Sequence, residues 1–486
     1  MMARRVGLAL LGLVAGACGP TILEIESEDD TGTAEGSGGS SPVTSTSSSG
    51  PTTPPPDDSG DDPILDFGPG PCSDPLACVP AVDILFVVDN SRSMAEEQRT
   101  LARIAPTLVR GLLEPFTGFG EPIDTQVMVT TTDVGNPLCT PFQPPGYQPA
   151  LGRPTTTSCI DRLDDFVDLT GTITAPEACL DVCSGSMAPP AGILAFGPDG
   201  TNVDGPAVDV DGDGELDPPE AHVLACMIPQ GINGCGFESP LQAMRLALDP
   251  GAPHNQGAQP FLRPHAALFV VLVTDEVDCS VADFSIMEDP SYYEVDPDSG
   301  VPAPSSAICW NAGVECFGPD ANGVYSMCSS VDERLHPVEE YLGFLSELGA
   351  ELDKEVTMAQ VVGVPSVGAH DPEPPFEPTV GGVYDLVYRR WRDGSYPVGD
   401  ILPDEFVQGV TAAHKQFEFG IGPGCTGVDP SGSFSGQATP PVRMRELCEG
   451  LNAEGAVRCA MESICDPDYS AVAWFLQGLL APLGGR

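Results

Sequence analysis

The sequence predicts an open, doubly wound α/β fold with a mostly parallel sheet. Residues 82–88 form a short, nearly continuous apolar run rich in β-branched side chains, as expected for a strand that is buried on both faces of a parallel sheet. Residues 94–113 then place leucine or isoleucine at intervals of three and four from Leu101 to Leu112, which is the pattern of an amphipathic helix. A strand followed by such a helix indicates a crossover connection between parallel strands.

The same alternation continues along the chain. Further strands are predicted at residues 125–131, 266–274 and 356–363, all rich in β-branched or other apolar side chains. Helical patterns occupy residues 238–248 and 337–348. We therefore expect one sheet with helices on both faces.

Two long segments interrupt this alternation within residues 71–365. Residues 136–230 and 279–330 are rich in Pro, Gly, Asp and Cys, and we expect both to be insertions held by disulfides, since loops this long are commonly functional. Residues 366–486 contain a strand-like stretch at 416–419 and end in an apolar helical pattern. We expect them to form a C-terminal extension packed on the core.

The first residues have the features of an export signal. Arg4 and Arg5 precede an apolar run, residues 6–14, that is too short to span a bilayer. The following Ala-Gly-Ala-Cys sequence resembles the lipobox of bacterial lipoproteins, although leucine is more usual than Ala15 at its first position. The resemblance implies that the signal comprises residues up to Cys18, that the Cys18 thiol receives lipid, and that this anchor alone attaches the chain to a membrane of the cell envelope. Secretion without lipid is the alternative.

Residues 19–70 consist mainly of Ser, Thr, Gly, Pro and Asp and contain almost no aromatic side chains. A segment of this composition cannot bury a core. We expect a disordered tether between the anchor and a folded region that begins near Cys72.

The charge balance excludes nucleic acid as a partner. The chain has 20 Lys and Arg against 71 Asp and Glu, a formal net charge of −51, which repels phosphates and anionic headgroups. The same composition provides many hard oxygen ligands for Ca²⁺ or Mg²⁺.

The cysteines indicate an oxidising compartment. Of 17 cysteines, setting Cys18 aside as the lipid-bearing residue leaves 16, an even number suited to disulfides. Cys72 with Cys78, and Cys179 with Cys183, are close enough in sequence for local bridges, although sequence alone does not fix the pairing. A zinc site is the alternative, but no CxxC pair with a partner at suitable spacing occurs.

A possible metal site follows the first predicted strand. Asp89, Ser91 and Ser93 present one carboxylate and two hydroxyls from alternate residues of a short loop, and these hard oxygens suit Mg²⁺ or Ca²⁺. The later strand at residues 268–274 also ends in an aspartate, Asp275. Ligands of open α/β sheets bind beyond the carboxyl ends of the strands, where both aspartates are expected.

This arrangement resembles the metal-ion-dependent adhesion site of the von Willebrand A family, whose fold is Rossmann-like. The resemblance covers about residues 80–365, apart from the two insertions, and implies that the four residues just named bind one metal. The family also supplies a threonine before a middle helix, where this chain has residues 234–240 without a threonine. We expect Glu238 to take that place, with Ser239 or the threonines at 130–132 as alternatives.

The resemblance implies a protein-binding function and no enzymatic activity. In the family, hydroxyls bind the metal directly and carboxylates lie partly behind water, so the cation keeps an open position that a partner's Asp or Glu fills. Glu238 would add a charge and weaken this attraction. Three alternatives remain: a metal that only joins three loops, an exported metal-dependent hydrolase, and a structural envelope protein whose metals serve stability.

A second metal site is predicted at residues 209–220, which fit the Ca²⁺ loop of the EF-hand with Gly214 at the sharp turn. No clear entering helix precedes the loop, and Pro218 and Pro219 stand just before its end, as in isolated calcium loops of extracellular proteins. We expect Ca²⁺ to order the first insertion, and a solvated acidic turn is the alternative. The predicted ligands are Asp209, Asp211, Asp213, Glu215 through its backbone carbonyl, Asp217 and Glu220.

Overall fold

A seven-stranded, mostly parallel sheet forms the centre of the protein in this computed structural model, which describes residues 81–114, 122–171, 174–185, 188–428, 432, 434–453 and 455–480. The strands are β1 (Ala81–Val88), β2 (Asp124–Thr131), β3 (Ile193–Gly197), β4 (Gly200–Thr201), β5 (Ala267–Val273), β6 (Val356–Val362) and β7 (Cys459–Ser463).

The spatial order of the strands is β7-β6-β5-β1-β2-β3-β4. The five strands from β7 to β2 are parallel, whereas β3 and β4 form an antiparallel pair at one edge. The order reverses between β1 and β5, as in a doubly wound sheet. The predicted α/β class with a mostly parallel sheet is confirmed.

Helices cover both faces of the sheet. Side chains of β1 alternate between two hydrophobic clusters, because successive residues of a strand point to opposite faces. Ile84 and Phe86 join the cluster that includes α1, α2, α3 and α10, while Leu85 and Val87 join the one that includes α4, α6 and α9. The α-helices are α1 (Ala95–Ala102), α2 (Ala105–Leu113), α3 (Pro219–Met227), α4 (Pro240–Ala247), α5 (Ala307–Gly313), α6 (Val338–Leu352), α7 (Pro403–Gln408), α8 (Ala412–Phe419), α9 (Val442–Leu451) and α10 (Ser470–Leu480).

Two local predictions were inaccurate. The single helix expected at residues 94–113 is divided between α1 and α2, because Pro106 has no N–H for a continuous helical ladder. The strand-like stretch at 416–419 belongs to α8, whose N-terminus is closed by a capping box between Thr411 and His414.

Two segments that were expected to lie outside the sheet contribute strands to it. The first insertion supplies β3 and β4 together with α3, and the C-terminal extension supplies β7, which pairs with β6, together with α9 and α10. Among the described residues, four two-stranded hairpins lie outside the central sheet. They pair Glu294–Val295 with Pro302–Ala303, Val314–Phe317 with Ser326–Ser330, Val367–His370 with Pro378–Gly381, and Cys425–Val428 with Phe434–Ala438.

Seven disulfides connect the described residues, and they indicate an oxidising, extracellular environment. The local bridge considered between Cys179 and Cys183 does not form, since each pairs with a more distant cysteine that the fold brings alongside. Cys18, Cys72, Cys78 and the signal and tether segments lie outside the described residues. The bridges are Cys139–Cys235, Cys159–Cys179, Cys183–Cys226, Cys279–Cys309, Cys316–Cys328, Cys425–Cys465 and Cys448–Cys459.

Candidate functional site

The candidate site lies where the strand order reverses. Asp89 directly follows β1, and Asp275 comes two residues after the end of the neighbouring strand β5. The Asp89 backbone N–H donates to the Val273 carbonyl at 2.9 Å, so both loops start from the same point. Crossovers that leave a sheet in opposite directions open a crevice at this edge, where ligands of such folds bind.

The loop after β1 is organised around the Asp89 carboxylate. Its Oδ1 accepts from the Ser91 backbone N–H at 2.7 Å, and its Oδ2 accepts from the Thr274 hydroxyl at 2.6 Å. The Gln98 side-chain amide donates to the Asp89 carbonyl at 2.8 Å. The hydroxyls of Ser91 and Ser93 are 3.2 Å apart. One fixed carboxylate and two adjacent hydroxyls therefore share a single short loop.

Glu238 reaches this point from the loop before α4. The residue is fully buried, and its carboxyl is close enough to Asp89 for repulsion between the two to add to burial in raising its pKa. Glu238 Oε2 accepts from the Thr132 hydroxyl, while Oε1 is buried with no hydrogen-bond partner among the described residues. Thr132 was considered as an alternative to Glu238, and the structure places the two side chains in contact.

Asp275 completes the group from the loop after β5. Burial raises the pKa of its carboxyl, which the nearby Ser93 hydroxyl lowers, and its buried Oδ1 has no hydrogen-bond partner in the part of the chain that the structure describes. The Asp275 backbone carbonyl accepts from the backbone N–H and the hydroxyl of Thr439, at 2.8 and 3.1 Å. The C-terminal extension thus holds this loop in place. All five residues predicted for the adhesion-type site lie together.

The three carboxyls are poorly solvated and lack a cationic partner. Burial raises the pKa of Asp89, Glu238 and Asp275, and repulsion from Asp89 raises the latter two further. For Asp275 the pKa rises from 3.8 to about 8. Within the described ranges, no Lys or Arg forms an ion pair with any of the three. Buried carboxylates without a counter-charge are costly unless they bind a metal or a proton. The oxygen donors are of the type that a divalent cation takes, although the three carboxylates do not come within 4.8 Å of one another as those of Asp209, Asp211 and Asp217 do.

Two further carboxyls border the group and were missed in the sequence. Burial raises the pKa of Glu97 on α1 and of Glu276, and repulsion from Asp275 is the next cause for both. Glu97 Oε2 is buried and has no hydrogen-bond partner within the described residues. Glu276 was adjacent to a predicted ligand, but no sequence pattern marked Glu97, which the fold of α1 brings back to the site.

The predicted calcium loop forms a turn around Asp209. Gly214, at a φ of +89°, donates its backbone N–H to Asp209 Oδ2 at 3.0 Å, a conformation that glycine adopts without strain. One carboxylate oxygen from each of Asp209, Asp211 and Asp217 lies within 4.8 Å of the other two. These three side chains have the residue type and proximity needed for Ca²⁺.

The other predicted ligands of this loop are placed differently. The Asp213 carboxylate accepts from the Glu215 backbone N–H at 2.7 Å, Glu215 is exposed, and Glu220 is buried in the first turn of α3. Arg110 on α2 lies 2.5 Å from Asp217 Oδ1 and 3.8 Å from Asp213 Oδ2. A side-chain cation from a neighbouring helix therefore neutralises part of the loop, which the sequence did not predict.

Comparison with known proteins gives no further identification: no protein family, curated protein or solved structure matches the chain. Among the described residues, no helix has the length and apolar character needed to cross a membrane.

Proposed function

We propose that this protein is an exported metal-binding protein that uses the site after β1 and β5 to bind a partner protein. The observation that carries the proposal is the convergence of three buried carboxyls and two hydroxyls at the reversal of strand order, without a Lys or Arg ion pair among the described residues. Such oxygen donors suit Mg²⁺ or Ca²⁺. The ligands are Asp89, Ser91, Ser93, Glu238 and Asp275.

The resemblance to the von Willebrand A family supports this proposal. The loop that carries Asp89 follows a central parallel strand, and Asp275 follows its neighbour, as the family pattern requires. The strand order, with its reversal at these two strands, is that of a doubly wound sheet. We propose that the predicted region of residues 71–365 is an A-type domain with insertions, whose sheet also takes up β7 from the C-terminal extension.

A bound cation would supply an electrophilic centre for an oxygen ligand of the partner. Ser91 and Ser93 offer neutral oxygens, which leave the cation its charge, and the hydrogen bonds from Ser91 and Thr274 orient Asp89. In the family that the site resembles, the incoming ligand is a partner carboxylate. Glu238 adds a third negative charge where that family has a neutral threonine, and it lowers the affinity for such a carboxylate.

The protein is proposed to act at the bacterial cell envelope. The N-terminal lipobox resemblance assigns Cys18 as the lipid-bearing residue, and the seven disulfides support export. The loop that contains Asp209 is proposed to bind Ca²⁺ and order the first insertion. The function is binding and not catalysis. Turnover of a generic ester, phosphate or peptide substrate that a chelator abolishes would contradict this.

Calorimetric titration with Mg²⁺ and Ca²⁺ tests the two metal sites. We expect Asp89→Ala to remove one binding event and Asp209→Ala to remove another, while Asp199→Asn, in the exposed turn between β3 and β4, leaves both unchanged. An unchanged titration of Asp89→Ala would disprove the site after β1.

A further inference from the structure

A cavity of about 570 Å³ lies between α9 and the hairpin of Val314–Phe317 with Ser326–Ser330, and none of its lining residues belongs to either proposed metal site. Its volume is within the range of protein ligand pockets. The apolar wall consists of Phe317, Tyr325, Met327, Leu386 and Tyr388. Phe317 and Met327 are 67% and 78% exposed, so bulky apolar side chains stand open to solvent at its mouth. The disulfide Cys316–Cys328 holds the two strands of the hairpin together.

The wall of this cavity contains a buried polar group without a partner. Tyr388 is only 7% exposed, and its hydroxyl has no hydrogen-bond partner of normal geometry among the described residues, while burial raises its pKa and the neighbouring Arg445 side chain lowers it. The Arg445 guanidinium lies over the Tyr388 ring, 5.6 Å from its centroid, and donates from Nη2 to the Cys328 carbonyl at 3.1 Å. A buried hydroxyl that is left unpaired is costly, and a ligand in the cavity would provide its hydrogen bond.

The rim of the cavity is acidic. Glu446 and Glu449 on α9 line it, and Arg445 offsets one charge through a 3.6 Å contact with Glu449, which is 63% exposed at its side chain. Asp332 and Glu339 continue the acidic surface. Burial is the main cause that raises the pKa of Asp332, repulsion from Glu339 and Glu446 adds to it, and Arg443 opposes it. A ligand that covers this rim gains from a positive charge.

We propose that the cavity binds a partner segment in which a lysine or arginine lies next to a bulky apolar side chain. The apolar side chain packs on Phe317 and Met327, the cation meets Glu446 and Glu449, and a polar group of the segment pairs with the Tyr388 hydroxyl. The chain's own residues 19–70 do not fit, because they contain no Lys or Arg. A second copy is disfavoured by the net charge of −51. This binding is independent of the metal site.

Fluorescence polarisation with labelled octapeptides tests the proposal on the full, disulfide-bonded chain. One set combines lysine or arginine with leucine, phenylalanine or tyrosine at spacings of one to three residues, and the matched set carries glutamate instead of the basic residue. We expect saturable binding in the basic set only, weaker at high salt and unchanged by EDTA. Failure of every basic peptide to bind, or equal binding of the glutamate set, would overturn the proposal.

Three variants locate the binding. Tyr388→Phe should weaken it about three- to tenfold, the effect of losing one hydrogen bond, while changing the melting temperature little, because no hydrogen bond of normal geometry to this hydroxyl is lost within the described residues. Glu449→Lys should weaken it by a similar factor, whereas the matched reversal Glu177→Lys, at an exposed residue of the first insertion, should not. Phe317→Ser removes an apolar contact with the segment and should also weaken binding. Because Phe317 is exposed, this change does not disturb the core. Unchanged affinity in Tyr388→Phe and Glu449→Lys together would show that the cavity is not the binding site.

Discussion

Replacing Asp275 with asparagine should stabilise the metal-free protein at alkaline pH while removing its ability to bind the cation. Asp275 is almost fully buried, and its carboxyl faces repulsion from Asp89 without an ion pair to Lys or Arg in the described residues. Asparagine has nearly the same shape but no charge. The change therefore removes the electrostatic cost of this position and leaves its packing unaltered.

The magnitude follows from the pKa of Asp275, which burial raises from 3.8 to about 8. Because the folded pKa lies above the unfolded one, the group has no effect on stability below pH 3.8, where both states are protonated. As the pH rises towards 8, the Asp275 carboxyl lowers the free energy of unfolding progressively, and above pH 8 the loss stays constant. One pH unit corresponds to about 1.36 kcal/mol, so this carboxyl removes about 4 kcal/mol of the free energy of unfolding between pH 5 and pH 8.

Urea or guanidinium unfolding in EDTA at pH 5 and pH 8 measures this effect. The parent should lose stability between the two values, and Asp275→Asn should lose about 4 kcal/mol less, with Asp199→Asn behaving like the parent. Adding Mg²⁺ or Ca²⁺ at about 100 times the dissociation constant should raise the free energy of unfolding of the parent by about 2.7 kcal/mol. Asp275→Asn should gain no stability from binding at this site. Equal stability of the metal-free parent at pH 5 and pH 8 would refute the reasoning.

Three other predictions concern separate parts of the molecule. Asp209→Ala should lower the bound Ca²⁺ measured by calorimetry by one ion and speed hydrogen exchange of the first insertion in Ca²⁺; unchanged exchange would mean that the loop does not order this segment. Lys354→Met should cost about 3 kcal/mol in denaturant unfolding, because the buried Asp83 loses one of its two cationic partners, at 2.8 Å, and a cost below about 1 kcal/mol would contradict this. Replacing both Cys425 and Cys465, which are separated by 40 residues, with serine should cost about 2–4 kcal/mol, and an unchanged unfolding midpoint would show that the bridge does not restrict the unfolded chain.

The proximity of Asp89, Ser91, Ser93 and Asp275 could be predicted largely from the sequence because the parts of this group are local. Asp89, Ser91 and Ser93 occupy alternate positions of one loop, and the strands before Asp89 and Asp275 are marked by continuous apolar runs. Once two such runs become neighbouring parallel strands, the residues at their ends lie side by side. The strands β1 and β2 and the crossover pattern could be recognised for a similar reason. Burial of a strand on both faces imposes an apolar composition that is visible within eight residues.

The tertiary structure decided which distant segments meet. β7, the bridge between Cys425 and Cys465, and the contact of Thr132 with Glu238 join residues that are far apart in sequence. The short edge strands β3 and β4 lie in a segment whose composition resembles a loop, and their pairing with β2 depends on an exposed sheet edge. Glu97 is an ordinary polar residue of an amphipathic helix until α1 packs against the sheet and brings its carboxyl close enough to Asp275 for their repulsion to raise its pKa beyond the effect of burial. Such contacts depend on the position of both partners in space, and a local sequence pattern specifies only one partner at a time.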